Sequence, residues 1–131
     1  MKTKVITQAV IKFKSKYLLG KRALAKKNAP NQFEFISGFI DTSESAEEII
    51  LREIKEETNL DCKIIKSSEP YLIEDKEARW IIIPFLLESK NDKFKLNDED
   101  HSELKWVSIE ELKNYEDIKE DIKNLKIRDL I

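Results

Sequence analysis

The sequence from Ser45 to Asn59 describes a helix whose apolar stripe runs into acids instead of opposing them, so the fold must give those acids something to face. Ser45 followed three residues later by Glu48 is a capping box, in which the hydroxyl and the carboxylate answer unpaired amides of the first turn. At about 100° per residue, Ala46, Ile49, Ile50 and Glu53 share a face, and Glu56 and Glu57 continue it. Like charges at these spacings repel, and acids in a last turn oppose the helix dipole by roughly 0.3–1 kcal/mol apiece. A divalent cation is the simplest compensation, because Mg²⁺ is held by a carboxylate or two together with waters and phosphate oxygens. Taken alone, Arg52-Glu53-Ile54-Lys55-Glu56-Glu57 is also ordinary surface-helix composition, with Glu48–Arg52 and Arg52–Glu56 pairs at i,i+4.

The residues ahead of the helix decide between these readings. The chain has only two glycines, and Gly38 sits just after an expected strand and seven residues before the helix cap. Glycine there permits a close backbone approach or a positive φ, either of which suits a loop wrapped around a diphosphate and its metal. From Gly38 the order is five residues, Glu44, seven residues, Arg52-Glu53, an aliphatic, any residue, Glu56-Glu57, any residue, Asn59 and Leu60. This run resembles the signature of the Nudix hydrolases, with Asn59 in place of the final glycine. Asparagine is the other residue that tolerates the left-handed C-terminal cap.

The resemblance implies an α/β chain folded as an α/β/α sandwich, with a mixed β-sheet between helices. It also implies hydrolysis of a nucleoside diphosphate linked to another moiety. The first substrate class is a non-standard nucleoside triphosphate, as for MutT-like members, giving a monophosphate and pyrophosphate. ADP-ribose, a dinucleoside polyphosphate, or a nucleotide sensed without cleavage are the alternatives. The implied cofactor is Mg²⁺ or Mn²⁺, with Glu56 and Glu57 as the firmest ligands, Glu53 as a further ligand or the general base, and a carbonyl from the Gly38 region. Arg52 joins the catalytic set as an orienting partner that flanks the acids, while Glu44 serves the loop. Relatives often use another acid from a later loop, and Asp98-Glu99-Asp100-His101-Ser102-Glu103 resembles their Glu-His-x-Glu-x-x-Trp-Val pattern. The choice among Glu99, Asp100 and Glu103 stays open, and His101, the only histidine, reads as a surface residue. Lys21 and Arg22 follow the second strand where relatives place a basic residue on the phosphates. Phe33, Phe35, Phe39, Tyr71 and Trp80 include aromatic faces for a base, with core packing the expectation for most of them.

The rest of the chain alternates strands with helices. Residues 5–13 and 17–19 form a hairpin about a turn at 14–16, and a loop at 26–32 containing Asn28 and Pro30 leads to a third strand at 33–36. Residues 62–67 and 71–74 are extended, 80–87 is an apolar strand that Pro84 marks as an edge or a bulge, and 104–107 is a further strand. Ser108 and Glu111 form a second capping box opening a C-terminal helix with Ile118, Ile122 and Leu125 in its core face.

At 131 residues the chain suits one domain spanning 1–131. No leader-like segment and no apolar run near the roughly 20 residues of a membrane span is present. The lone Cys62 fits a reducing compartment, so a cytoplasmic location is expected. A formal charge of −2 with both signs interspersed argues against a long nucleic-acid partner and leaves a small nucleotide as the expected one, on a monomer or homodimer.

Overall fold

A computed structural model of the chain describes residues 1–27 and 29–131, and Asn28 of the expected loop lies outside the described residues. Its centre is strand β1 (Lys2–Phe13), which runs parallel to β7 (Ala78–Ser89) from the Lys2–Ala78 pair to the Lys12–Glu88 pair. On its other side β1 takes two antiparallel partners. Its end turns into β2 (Lys16–Arg22) through Lys14, whose φ is 55°, and its middle pairs with β4 (Ile36–Phe39). The far side of β2 carries β8 (His101–Ser108), and its end carries the two-residue β3 (Phe33–Glu34). Beyond β7 lie β5 (Cys62–Ser67) and β6 (Tyr71–Glu74), both antiparallel to it. One parallel pair among antiparallel ones makes the sheet mixed, as expected.

Alternation along the strands builds two cores, because successive side chains leave opposite faces of a sheet. Val10, Tyr17, Leu19, Phe35 and Val107 face one way and meet Leu112, Ile118, Ile122 and Leu125 of the C-terminal segment. Ala9, Ile11, Leu18, Ile36 and Leu104 face the other way and meet Ile50 and Ile54 of α1 (Ala46–Thr58). The α/β/α layering follows from this two-faced pattern.

The signature helix has the ends its sequence specifies. Ser45 Oγ accepts from the Glu48 amide at 3.2 Å, Glu48 Oε1 accepts from the Ser45 amide at 3.1 Å, and Asn59 closes the helix at φ 61°.

Three expectations need correction. The strand at 33–36 is two strands, for the chain pairs with β2 through Phe33–Glu34 and then crosses to β1 through Ile36–Phe39, with Phe35 buried at the crossing. Gly38 therefore lies inside a strand. Pro84 is not on an edge: β7 is flanked on both sides, and Pro84 sits where the outer ladder changes from β5, ending at Ser67–Phe85, to β6, starting at Tyr71–Ile82. A residue without an amide proton fits such an interruption. The second capping box opens only α2 (Ile109–Leu112), after which Tyr115 turns extended to stack edge-on against Phe33 at 4.8 Å. A short 3₁₀ turn (Glu116–Ile118) then leads into α3 (Lys119–Ile127).

The left-handed cap yields a stability prediction. Asn59→Gly should leave unfolding free energy unchanged or raised, whereas Asn59→Val should lower it by about 1–2 kcal/mol. Urea denaturation of both variants measures this, and equal losses would contradict the cap assignment.

Candidate active site

Helix α1 approaches β4 so closely that Gly38 has no room for a side chain. A Cβ there would stand 2.5 Å from Glu53 Cγ and 3.1 Å from Ile49 Cγ2. Gly38 has no positive φ, so of its two sequence-level uses the close approach is the one employed. The Gly38 carbonyl accepts from Thr7 Oγ1 at 3.2 Å.

This approach presses the acidic end of the helix stripe into a cavity of about 150 Å³, where Glu53 and Glu57 meet Asp100, Lys26, Arg22 and His101. Glu57 is 8% exposed. Burial, followed by its hydrogen bond to Glu53 and the charges of Asp100, Glu53 and Glu34, pushes its carboxyl up to about 10. Glu56 instead points to solvent and meets Arg52 at 3.4 Å. Arg52 also holds Glu44 through Nε at 3.0 Å and Nη2 at 2.9 Å, and Glu53 at 3.3 Å. It thereby ties the loop before the helix to the acids on it. The hydrogen bond from Arg52 holds the Glu44 carboxyl below its usual range. The Glu48–Arg52 pair expected from spacing does not form, because Glu48 is engaged in the cap.

Of the later acids, the fold brings Asp100 to the cavity, where Lys26 donates to it at 3.2 Å. Glu99 and Glu103 lie exposed outside it, the latter 3.9 Å from Lys105. His101 corrects the sequence reading most sharply. It is not a surface residue but 1% exposed, with Nε2 2.9 Å from Glu34 Oε2, and its buried Nδ1 has no hydrogen-bond partner among the described residues, lying 3.6 Å from Glu57 Oε1. At that distance the Glu57 contact is not a hydrogen bond. Sequence reasoning missed both His101 and Glu34, and the available signal was Gly20. A Cβ on this second glycine would lie 2.6 Å from the His101 ring.

A larger cavity of about 530 Å³ adjoins the first, and Arg22, Glu34, Ser37 and Phe39 line both. Its volume falls in the range of small-molecule sites. Phe39, 48% exposed, and Trp80 stand with ring centroids 6.2 Å apart, while Asp75 accepts from Trp80 Nε1 at 2.9 Å. At the opposite wall Asp121 Oδ1 receives Gln8 Nε2 at 3.1 Å and the Tyr71 hydroxyl at 2.8 Å. Burial raises the Asp121 carboxyl above its ordinary range. Among the candidate aromatics, Phe35 and Tyr71 are core residues, whereas Phe39 and Trp80 face the cavity. Lys21 lines neither cavity and lies 5.7 Å from the Phe33 ring.

The oxygen donors of Glu53, Glu57 and Asp100 suit a hard divalent cation. Among the described residues no three Asp, Glu, His or Cys side chains are grouped to hold an ion by themselves.

Known structures share the fold. The fold is similar to the MutT protein of Methanosarcina mazei Go1, with TM-score 0.83 and 23% identity over 97% of this chain and 92% of that one. It is also similar to a Caenorhabditis elegans Ap4A hydrolase, with TM-score 0.78 and 22% identity over 94% and 93% of the chains. A NUDIX-family hydrolase from Clostridium perfringens superposes with TM-score 0.76 and 22% identity over 96% and 95%. No curated protein matches the chain in sequence. The model of the NUDIX domain matches residues 3–127, and the chain therefore belongs to the NUDIX family of hydrolases.

Proposed function

We propose that this hydrolase is a Mg²⁺- or Mn²⁺-dependent pyrophosphohydrolase that cleaves a nucleoside triphosphate to a monophosphate and pyrophosphate. The observation that carries the reading is the junction of the two cavities. Carboxylates crowd the smaller one, aromatic faces and the Asp121 wall shape the larger, and Arg22 lines both. A nucleotide lying across the junction would put its base in the larger cavity and its phosphates beside Arg22 and the acids.

Glu57 and Glu53 would hold the cation, with Asp100 beside them, whereas Glu56, expected as one of the firmest ligands, points to solvent against Arg52 and would join them only by leaving that pair. A bound divalent cation would neutralise phosphate charge and acidify a water. Proton removal from that water falls to a carboxylate of the cavity. Glu53, oriented by Arg52, and Asp100, oriented by Lys26, are the candidates, since Glu99 and Glu103 point away. Arg22 offers the phosphates a planar, multi-donor contact that Lys21 is not placed to give.

A Mg²⁺-dependent phosphate-release panel over nucleoside triphosphates, ADP-ribose and dinucleoside polyphosphates tests the reading. Wild type should turn over at least one triphosphate, and Glu57→Gln should reduce its kcat/KM by about 10–100-fold or more. Turnover confined to ADP-ribose or dinucleoside polyphosphates moves the substrate class, and metal-dependent binding with no turnover makes the protein a sensor.

The raised Glu57 carboxyl predicts a proton effect with a definite sign. Metal ligation requires the carboxylate, yet the metal-free cavity keeps Glu57 protonated up to about pH 10, so Mg²⁺ binding at neutral pH should release about one proton. Titration calorimetry in buffers of different ionisation enthalpy measures this, and Glu57→Gln should abolish it. The same shift stabilises the metal-free fold fully below the ordinary carboxyl value of 4.5 and is lost as pH rises towards 10. The thermal stabilisation given by Mg²⁺ should consequently grow across that window.

A further inference from the structure

Both glycines of this chain make room for a side chain arriving from another element. Gly38 admits Glu53, as described above, and Gly20 admits the ring of His101, whose Cδ2 and Nε2 lie 2.6 and 2.8 Å from where a Cβ would stand. Gly20 is also the residue paired with Glu34 in the β2–β3 ladder. Seated there, His101 directs Nε2 to Glu34 Oε2 at 2.9 Å, while Glu34 Oε1 accepts from Arg22 Nη1 at 3.0 Å. The two oxygens of one carboxylate thus reach two different strands, and the ladder between those strands slips in register at Lys21/Arg22.

We infer that Glu34 is a positioning residue that aims the Arg22 guanidinium at the junction of the two cavities, with His101 packed on Gly20 as its rear support. The inference rests on the proposed reading of that junction as a phosphate site. Each part has a physical reason. An arginine at a strand end has many rotamers, and a planar carboxylate partner selects among them. A ring that is 1% exposed needs a hydrogen-bond partner, and Glu34 supplies the only one the His101 ring has among the described residues. Electrostatics alone would disfavour a carboxylate here, since it weakens the local field for an anion. A positioning role requires that the geometry it imposes on Arg22 outweigh that loss.

The two effects predict opposite signs. Inorganic pyrophosphate with Mg²⁺ is titrated calorimetrically into wild type, E34Q, E34D, R22A and the E34Q/R22A double variant, with circular dichroism and thermal unfolding as checks of folding. Positioning predicts that E34Q and E34D both weaken pyrophosphate binding, by about tenfold or more. It also predicts that the double variant binds no more weakly than R22A, since Glu34 acts through Arg22. Field strength alone predicts tighter binding by E34Q and little change in E34D, and either result overturns the inference. Losses that add in the double variant also overturn it, leaving the phosphate site intact. Should E34Q fail to fold, E34D, which keeps the charge and withdraws its oxygens by a methylene, decides the question. Wild type that binds no pyrophosphate removes the phosphate-site reading itself and this inference with it.

Discussion

The approach of α1 to β4 at Gly38 is the contact on which the rest of the site depends. A helix normally keeps its acids in water, and here a missing Cβ lets the helix sink until Glu53 occupies the space a side chain would have filled. The same descent buries Ile49, Ile50 and Ile54 without residual exposure beyond 1%, so hydrophobic burial along the stripe drives the acids at its end inward. The carboxylates are thus carried into the cavity by the packing of their apolar neighbours and cannot retreat without lifting the helix.

That mechanical coupling explains the electrostatics. Glu57 cannot choose solvent, and in the metal-free protein its burial beside Glu53 is relieved by a retained proton. Arg52 offsets the outer part of the cluster, spanning Glu44, Glu53 and Glu56, and leaves Glu57 beyond its reach among the described contacts. The helix is therefore compensated on its exposed flank and uncompensated on its buried one. The uncompensated flank is where a cation gains most, for in a desolvated site a charge interacts more strongly than on the surface.

What the sequence disclosed and what it concealed divide by the distance over which a feature is encoded. The capping box of Ser45 and Glu48 and the left-handed Asn59 are set within a few residues and the structure keeps them, whereas of the face expected for Glu53, Glu56 and Glu57 it keeps Glu53 and Glu57 in the cavity and turns Glu56 to solvent. The strand read at 5–13 is also kept, while its division between two cores, Ala9 and Ile11 on one side and Val10 on the other, is shown only by the structure. Of the edge or bulge read at Pro84, the edge does not occur; its tolerance depends on where two other strands trade places, and nothing in residues 80–87 records that. His101 was misread for a related reason: its burial depends on Gly20, some eighty positions earlier, lying across the β2–β8 ladder. Asp100 could not be separated from Glu99 and Glu103 by composition, only by the bond to Lys26 that turns it inward. The single C-terminal helix inferred from Ser108 onward failed at Tyr115, whose ring finds Phe33 from the opposite end of the chain.

The same distinction separates the two cavities. The acids of the smaller one sit mostly on a single helix and keep their mutual geometry wherever that helix packs, so a short motif can specify them. The walls of the larger one come from β1, β2, β3, β4, β7 and α3, among them Ile6, Phe39, Trp80 and Asp121, elements with no common local pattern. Among the described residues no hydrogen bond or ring contact joins Trp80 or Asp121 to the acids of α1, so a change at either would alter the larger cavity without acting on Glu53 or Glu57 directly. On the proposed reading, chemistry and recognition are therefore encoded in separable parts of this chain, and Arg22, with Glu34 beside it, lines the cavities of both.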